Sequence, residues 1–225
     1  MTTIDVLKRI AECNKNIKQF VVHEFPNQVL LQDRLKNWEE KEERHFKSSM
    51  KLRNQYHMPF WDSVMLCTFD NLNFSSDILQ AALLHNKATA IKYISADCLD
   101  VFQELVNQEK RLAVSSLVIL QDGQKAHIPM FDFHIPVSTS NFKVVQTVCL
   151  LLGLKHGFIL NSGESYHYIG KEAVAWDELY ILLAKALLYS PIIDKAWISH
   201  QLQERSCSLR IDKKHGVDTY LLMEY

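Results

Sequence analysis

The chain has 225 residues, 48% hydrophobic and 23% charged, a soluble globular composition with room for one large domain or two small ones. A net charge of −1 and a pI near 6.8 exclude a chain-wide basic field for nucleic acid, so any basic surface is local. The start, Met1 to Arg9, has no apolar signal-peptide core, and the longest apolar run, near Val148 to Leu154, is too short to span a membrane. Five cysteines without a Cys-x-x-Cys pair argue for a reducing compartment and against a zinc site written in the spacing. A cytoplasmic protein is expected.

Residues 1–60 read as helical, with Leu7, Ile10, Ile17 and Phe20 near helical spacing. Glu39 to Lys47 forms a charged helical face, in which Glu40–Arg44 and Glu43–Lys47 are i, i+4 pairs of favourable orientation. A solvated face is the simpler reading. The basic end, Arg44, His45, Lys47, Lys51 and Arg53, is also suited to a phosphate backbone. Met58-Pro59-Phe60-Trp61 breaks the pattern, and residues 62–110 look mainly helical.

The pattern changes near residue 112. Ala113 to Leu120 is an apolar, β-branched strand, Asp122-Gly123 a hairpin turn, and Ala126 to Ile135 the return strand. Ser138 or Ser140 can cap a helix running to about Leu152, with Gly153 near its end. Two strands follow, Gly157 to Leu160 and Ser165 to Ile169, around the turn Asn161-Ser162-Gly163. A helix with Leu179, Leu182, Leu183, Ala186 and Leu187 on one face stops before Pro191. The last strand includes Ser208 to Asp212. The expected class is α+β: a mostly helical N-terminal region, 1–111, then a β-β-α-β-β-α-β region, 112–225, with an antiparallel or mixed sheet backed by helices.

Three of these strands carry two polar groups spaced i, i+2: Asp132 and His134, Ser165 and His167, Arg210 and Asp212. On a strand such residues share a face. Neighbouring strands of this kind would gather two carboxylates, two imidazoles, a hydroxyl and a guanidinium on one sheet, a set suited to a divalent metal holding a polyphosphate. Phe131, Phe133, Tyr166 and Tyr168 fall on the opposite faces and read as core. There is no Walker-type phosphate loop, no Gly-x-Gly-x-x-Gly turn, and no nucleophile elbow around Ser165.

Phe131-Asp132-Phe133-His134, Ser162-Gly163-Glu164-Ser165-Tyr166-His167 and Leu209-Arg210-Ile211-Asp212 resemble, in order, the three motifs of the archaeo-eukaryotic primase superfamily, the primase-polymerases. Asp194 to Leu202, leading into Ser208-Leu209-Arg210, is similar to the approach to the third motif in bacterial primase-like members. The resemblance covers about residues 112–216 and implies an RRM-like sheet. It also implies that Asp132, His134 and Asp212 hold Mn²⁺ or Mg²⁺, and that Ser165, His167 and Arg210 hold a nucleoside triphosphate. DNA or RNA is the implied second substrate, and a helicase or another replication or defence protein an implied companion.

His134 stands where the family has its second Asp. A neutral imidazole binds Mn²⁺ in preference to Mg²⁺ and cannot bridge two ions as a carboxylate does. The expected function is divalent-metal-dependent nucleotidyl transfer to a nucleic-acid 3′-hydroxyl, or de novo primer synthesis. Its alternative is a catalytically weak or inactive primase-like subunit that binds nucleotide or nucleic acid. A third reading is a single-metal phosphodiesterase using His134 with His167.

Overall fold

A computed structural model describes residues 1–26, 40–69, 83, 87–106, 111–211 and 218–225. Backbone contacts divide the chain into two units, Met1–Pro26 with Ala88–Tyr225, and Asn27–Lys87.

The first unit opens with α1, Thr3–Cys13. Thr2 caps it, its hydroxyl accepting from the Asp5 N–H while the Asp5 carboxylate accepts from the Thr2 N–H. Strand β1, Ile17–Phe25, follows at once, where helical spacing led to the expectation of continued helix. The Asn14-Lys15-Asn16 turn ends α1, with the Ile17 N–H donating to the Asn14 carbonyl at 2.9 Å. The β-branched and aromatic run beyond it then pairs with distant strands. After residue 87 come β2, Ala90–Ser95, and α4, Val101–Val106, so helical expectation is also corrected at β2. The described part of residues 1–111 is still mostly helical.

Strand β3, Arg111–Leu120, is buried continuously from Leu112 to Ser116. Asp122-Gly123 makes the expected turn: Gly123 has φ +83°, and the Asp122 carboxylate accepts from the Gln124 N–H at 2.9 Å. The return segment is not one strand. It divides into β4, Lys125–His127, and β5, Met130–Asp132. Pro129 lies at the break and has no N–H to continue a ladder. The Ile128 N–H still donates to Ser116 of β3 (2.8 Å), whereas the Pro129 carbonyl accepts from Gly170 (2.7 Å), which belongs to other strand partners. A Cβ on Gly170 would lie 2.9 Å from the Pro129 ring, so this crossing requires glycine.

The rest of the unit comprises α5 (Thr139–Leu151), β6 (Gly157–Asn161), β7 (Tyr166–Gly170), α6 (Trp176–Ala186), α7 (Lys195–Glu204), β8 (Ser208–Arg210) and β9 (Tyr220–Glu224). Ser138 caps α5, and Gly153, at φ +79°, follows its end. Leu179, Leu183 and Ala186 form the buried stripe of α6 and Leu182 is half-buried beside it, whereas Leu187, expected on the same face, lies past the helix end and is exposed. The strands form two sheets with antiparallel pairings, one ordered β2-β1-β3-β4 with β8 also on β3, the other β5-β7-β6-β9. The α+β class holds, but the expected single sheet is two. Phe131, Phe133, Tyr166 and Tyr168 are buried in the core, as expected.

The second unit contains α2, Glu40–Tyr56, and α3, Phe60–Phe69. His57 at φ +51° ends α2 just before Pro59. The two helices meet through Phe46 and Phe60, whose ring centroids are 6.0 Å apart. The expected i, i+4 pairs are present, Glu43–Lys47 at 2.7 Å and Glu40–Arg44 at 3.9 Å.

Candidate nucleotide site

The first two motifs meet through strand register. Antiparallel pairing of β5 with β7 sets Asp132 opposite His167, and directly opposed side chains lie within reach of each other. Asp132 Oδ1 is 3.5 Å from His167 Nε2. The imidazole is 5% exposed and the carboxylate 39%, so the pair has one buried member and one open to solvent. If His167 carries a proton, this is a charge-assisted contact; if neutral, its Nε2 can accept or donate according to tautomer.

His134 lies just past β5 and is half-buried. Its backbone N–H donates to the Ile192 carbonyl at 2.7 Å. Ser165 lies just before β7. Its hydroxyl donates to the Phe133 carbonyl, the peptide between the two residues of the first motif.

The third motif reaches the site from the other sheet. Strand β8 pairs with β3, Ala113 opposite Arg210. Arg210 Nη2 donates to the Ser162 carbonyl at 2.9 Å, in the turn between β6 and β7. The single-sheet cluster expected from the sequence is therefore replaced by a junction: Asp132, His134, Ser165 and His167 come from the β5–β7 edge, while Arg210 arrives from β8. The break at Pro129 is the cause, because it moves the first motif out of the β3 sheet. Asp212 lies outside the described residues.

Two residues given no role from sequence hold β8 in place. Gln201 of α7 is 3% exposed. Its Oε1 accepts from the Ser208 N–H at 2.8 Å, and its Nε2 donates to the Trp197 carbonyl at 3.1 Å. Trp197 Nε1 donates to the Ser208 carbonyl at 3.3 Å. Both backbone groups of Ser208 are thus taken by α7 side chains. A Trp and a Gln four apart on one helical face are the signal that could have suggested this.

Among the described residues, no three His, Cys, Asp or Glu side chains are grouped to hold a metal. Asp132 and His167 supply two donors, and the described residues alone do not complete a metal site. No helix among them is long and apolar enough to cross a membrane.

A family profile described as AEP-like, archaeo-eukaryotic primase 1D-like, matches residues 90–219. No curated protein and no solved structure matches the chain. The match begins at β2, ahead of the stretch that carries the motif resemblance, and takes in the strands bearing all three motifs. It covers more than half of the 225 residues, and the chain belongs to the archaeo-eukaryotic primase 1D-like family.

Proposed function

We propose that this protein transfers nucleotides to the 3′-hydroxyl of DNA or RNA, or starts primers de novo, in the cytoplasm. The observation that carries this reading is the convergence of three sequence-distant motifs: Asp132 beside His167 at 3.5 Å, and Arg210 anchored to the turn that precedes His167. In this proposal His167 and Arg210 receive the triphosphate of the incoming nucleotide, since both can donate to phosphate oxygens. Asp132, with His134 and Asp212, is the proposed ligand set for Mn²⁺ or Mg²⁺, which would supply charge neutralisation at the phosphates and align the hydroxyl. The 3′-oxygen forms a bond to the α-phosphorus as the bond to the departing pyrophosphate breaks, and the hydroxyl proton passes to solvent or a nearby base. A helicase or another replication or defence protein is the proposed companion.

A second reading keeps the binding and drops the transfer. It is favoured by His134, which lowers the negative charge that a carboxylate pair would bring. Primer-extension and de novo synthesis assays with Mn²⁺ and with Mg²⁺ separate the two. Transfer by the wild type that is lost in Asp132→Ala and Asp212→Ala supports the enzyme. Full activity in those variants, if folded, overturns the mechanism. Nucleotide binding without transfer under either metal selects the binding subunit.

A further inference from the structure

We infer that Ser165 is a positioning residue, whose hydroxyl sets the path of the segment carrying His134 rather than holding the triphosphate. This rests on the proposed nucleotide site but departs from the role that resemblance to primases implies for this serine.

Segment 133–138 has no regular secondary structure beyond a bridge at Phe133. A segment of this kind keeps its shape only if its backbone groups find fixed partners. Most of those partners come from two consecutive residues, Ser165 just before β7 and Tyr166 at its start. The Phe133 carbonyl accepts from the Ser165 hydroxyl. The Phe133 N–H donates to the Tyr166 carbonyl at 2.9 Å. The Tyr166 hydroxyl closes the far end: it accepts from the Ser138 N–H and donates to the Ser138 carbonyl, both at 2.8 Å. Between them the His134 N–H donates to Ile192 at 2.7 Å.

The Ser165 end is itself fixed, because its carbonyl accepts from the Ser162 N–H at 2.9 Å. Ser162 is also the residue whose carbonyl receives Arg210. One hydroxyl therefore couples the Asp132–His134 peptide to the turn that receives the third motif. A hydroxyl has a single proton to give, and here it is given to Phe133, so Ser165 has no second proton for a phosphate oxygen. Tyr166, fully buried, holds the other end of the same segment.

Amide hydrogen exchange and ATP titration, on the full chain, test this together. In Ser165→Ala, exchange over residues 131–138 is expected to quicken about fivefold or more, the loss of roughly one hydrogen bond, while β6 and β9 stay as in the wild type. Ser165→Thr, which keeps the hydroxyl, should restore wild-type exchange. Unchanged exchange in a folded Ser165→Ala overturns the inference.

ATP affinity is measured with Mn²⁺ and with EDTA. Ser165→Ala should match wild type in EDTA and lose affinity only with Mn²⁺, whereas His167→Ala should weaken binding in both. If Ser165→Ala loses as much as His167→Ala in EDTA, the serine contacts the phosphates directly and the inference falls. If the wild type binds no ATP in either condition, the nucleotide reading fails, and hydrogen exchange alone still decides whether Ser165 holds the segment.

Discussion

Strands β7 and β8 place proposed phosphate-binding side chains by different means. Strand β7 is laddered on both edges, to β5 through three residue pairs and to β6 through five, and every residue in it is buried. Strand β8 has three residues and three pairs to β3, and side chains of Gln201 and Trp197 take the backbone groups that a further strand would otherwise pair. His167 is therefore set by register within a sheet core. Arg210 is set by a short strand paired to β3 on one side and held on the other by two side chains of a helix. Disturbing β7 should act through packing and cost stability broadly, whereas disturbing the α7 contacts should act on Arg210 at smaller cost to the fold.

The sharpest way to break the β7 side is Gly157→Ala. A Cβ at Gly157 would lie 2.5 Å from the Tyr168 hydroxyl and 2.7 Å from the Ile169 carbonyl. The backbone oxygen cannot move without disturbing the β6–β7 ladder. We expect a loss of about 3 kcal/mol and a Tm lower by roughly 6–10 °C, read by thermal and urea denaturation. An unchanged Tm would show that β6 and β7 are less tightly packed than described.

The junction between the sheets has its own pH test. His127 of β4 is buried, with Nδ1 3.2 Å from the Ser116 hydroxyl and its ring 5.3 Å from that of Trp176. The Ser116 hydroxyl also accepts from the Cys207 N–H at 2.8 Å, so this cluster joins β3, β4 and the approach to β8. Burial, aided by Lys125, lowers the His127 pKa to about 4. The unfolded chain, near 6.5, takes up the proton first. Stability from this group is complete above pH 6.5 and falls as pH drops toward 4, by about 2 kcal/mol at pH 5. Urea denaturation at pH 8 and pH 5 should show that difference in wild type and lose it in His127→Gln. Equal pH dependence in both would refute the assignment.

For β8, Gln201→Leu leaves the Ser208 N–H without its buried acceptor, at a cost of about 1–2 kcal/mol. ATP affinity should fall in the folded variant by roughly tenfold, about as much as in Arg210→Ala, where a charge-assisted contact is lost. Stability loss with unchanged affinity would mean that β8 holds Arg210 without help from α7.

The smallest effect should come from Tyr166→Phe, which removes both bonds to Ser138 while keeping the buried ring. A destabilisation of about 1 kcal/mol is expected, with faster amide exchange at Ser138 and little change at His167. Exchange that spreads through all of β7 would show that the strand depends on this hydroxyl as well as on its ladders.

Local chemistry made much of this molecule legible in its sequence. The Asp122-Gly123 turn, the Ser138 cap and Gly153 ending of α5, the apolar stripe of α6 and the charge pairs of α2 each depend on residues a few positions apart, and each is present as expected. The order of the three motifs was readable for the same reason. Partners distant along the chain were not readable. Ile17 and Phe20 fit a helical period until β2 and β3 pair with them, and β9 was not expected at all. The return segment, Ala126 to Ile135, was expected as one strand although it contains Pro129. Only the competing partners on either side, Ser116 for Ile128 and Gly170 for the Pro129 carbonyl, send the chain into a second sheet. That crossing puts Asp132 opposite His167 and leaves Arg210 to arrive from β8, in the sheet of β3, because a strand's own residues determine which side chains share a face but not which strand will lie beside them.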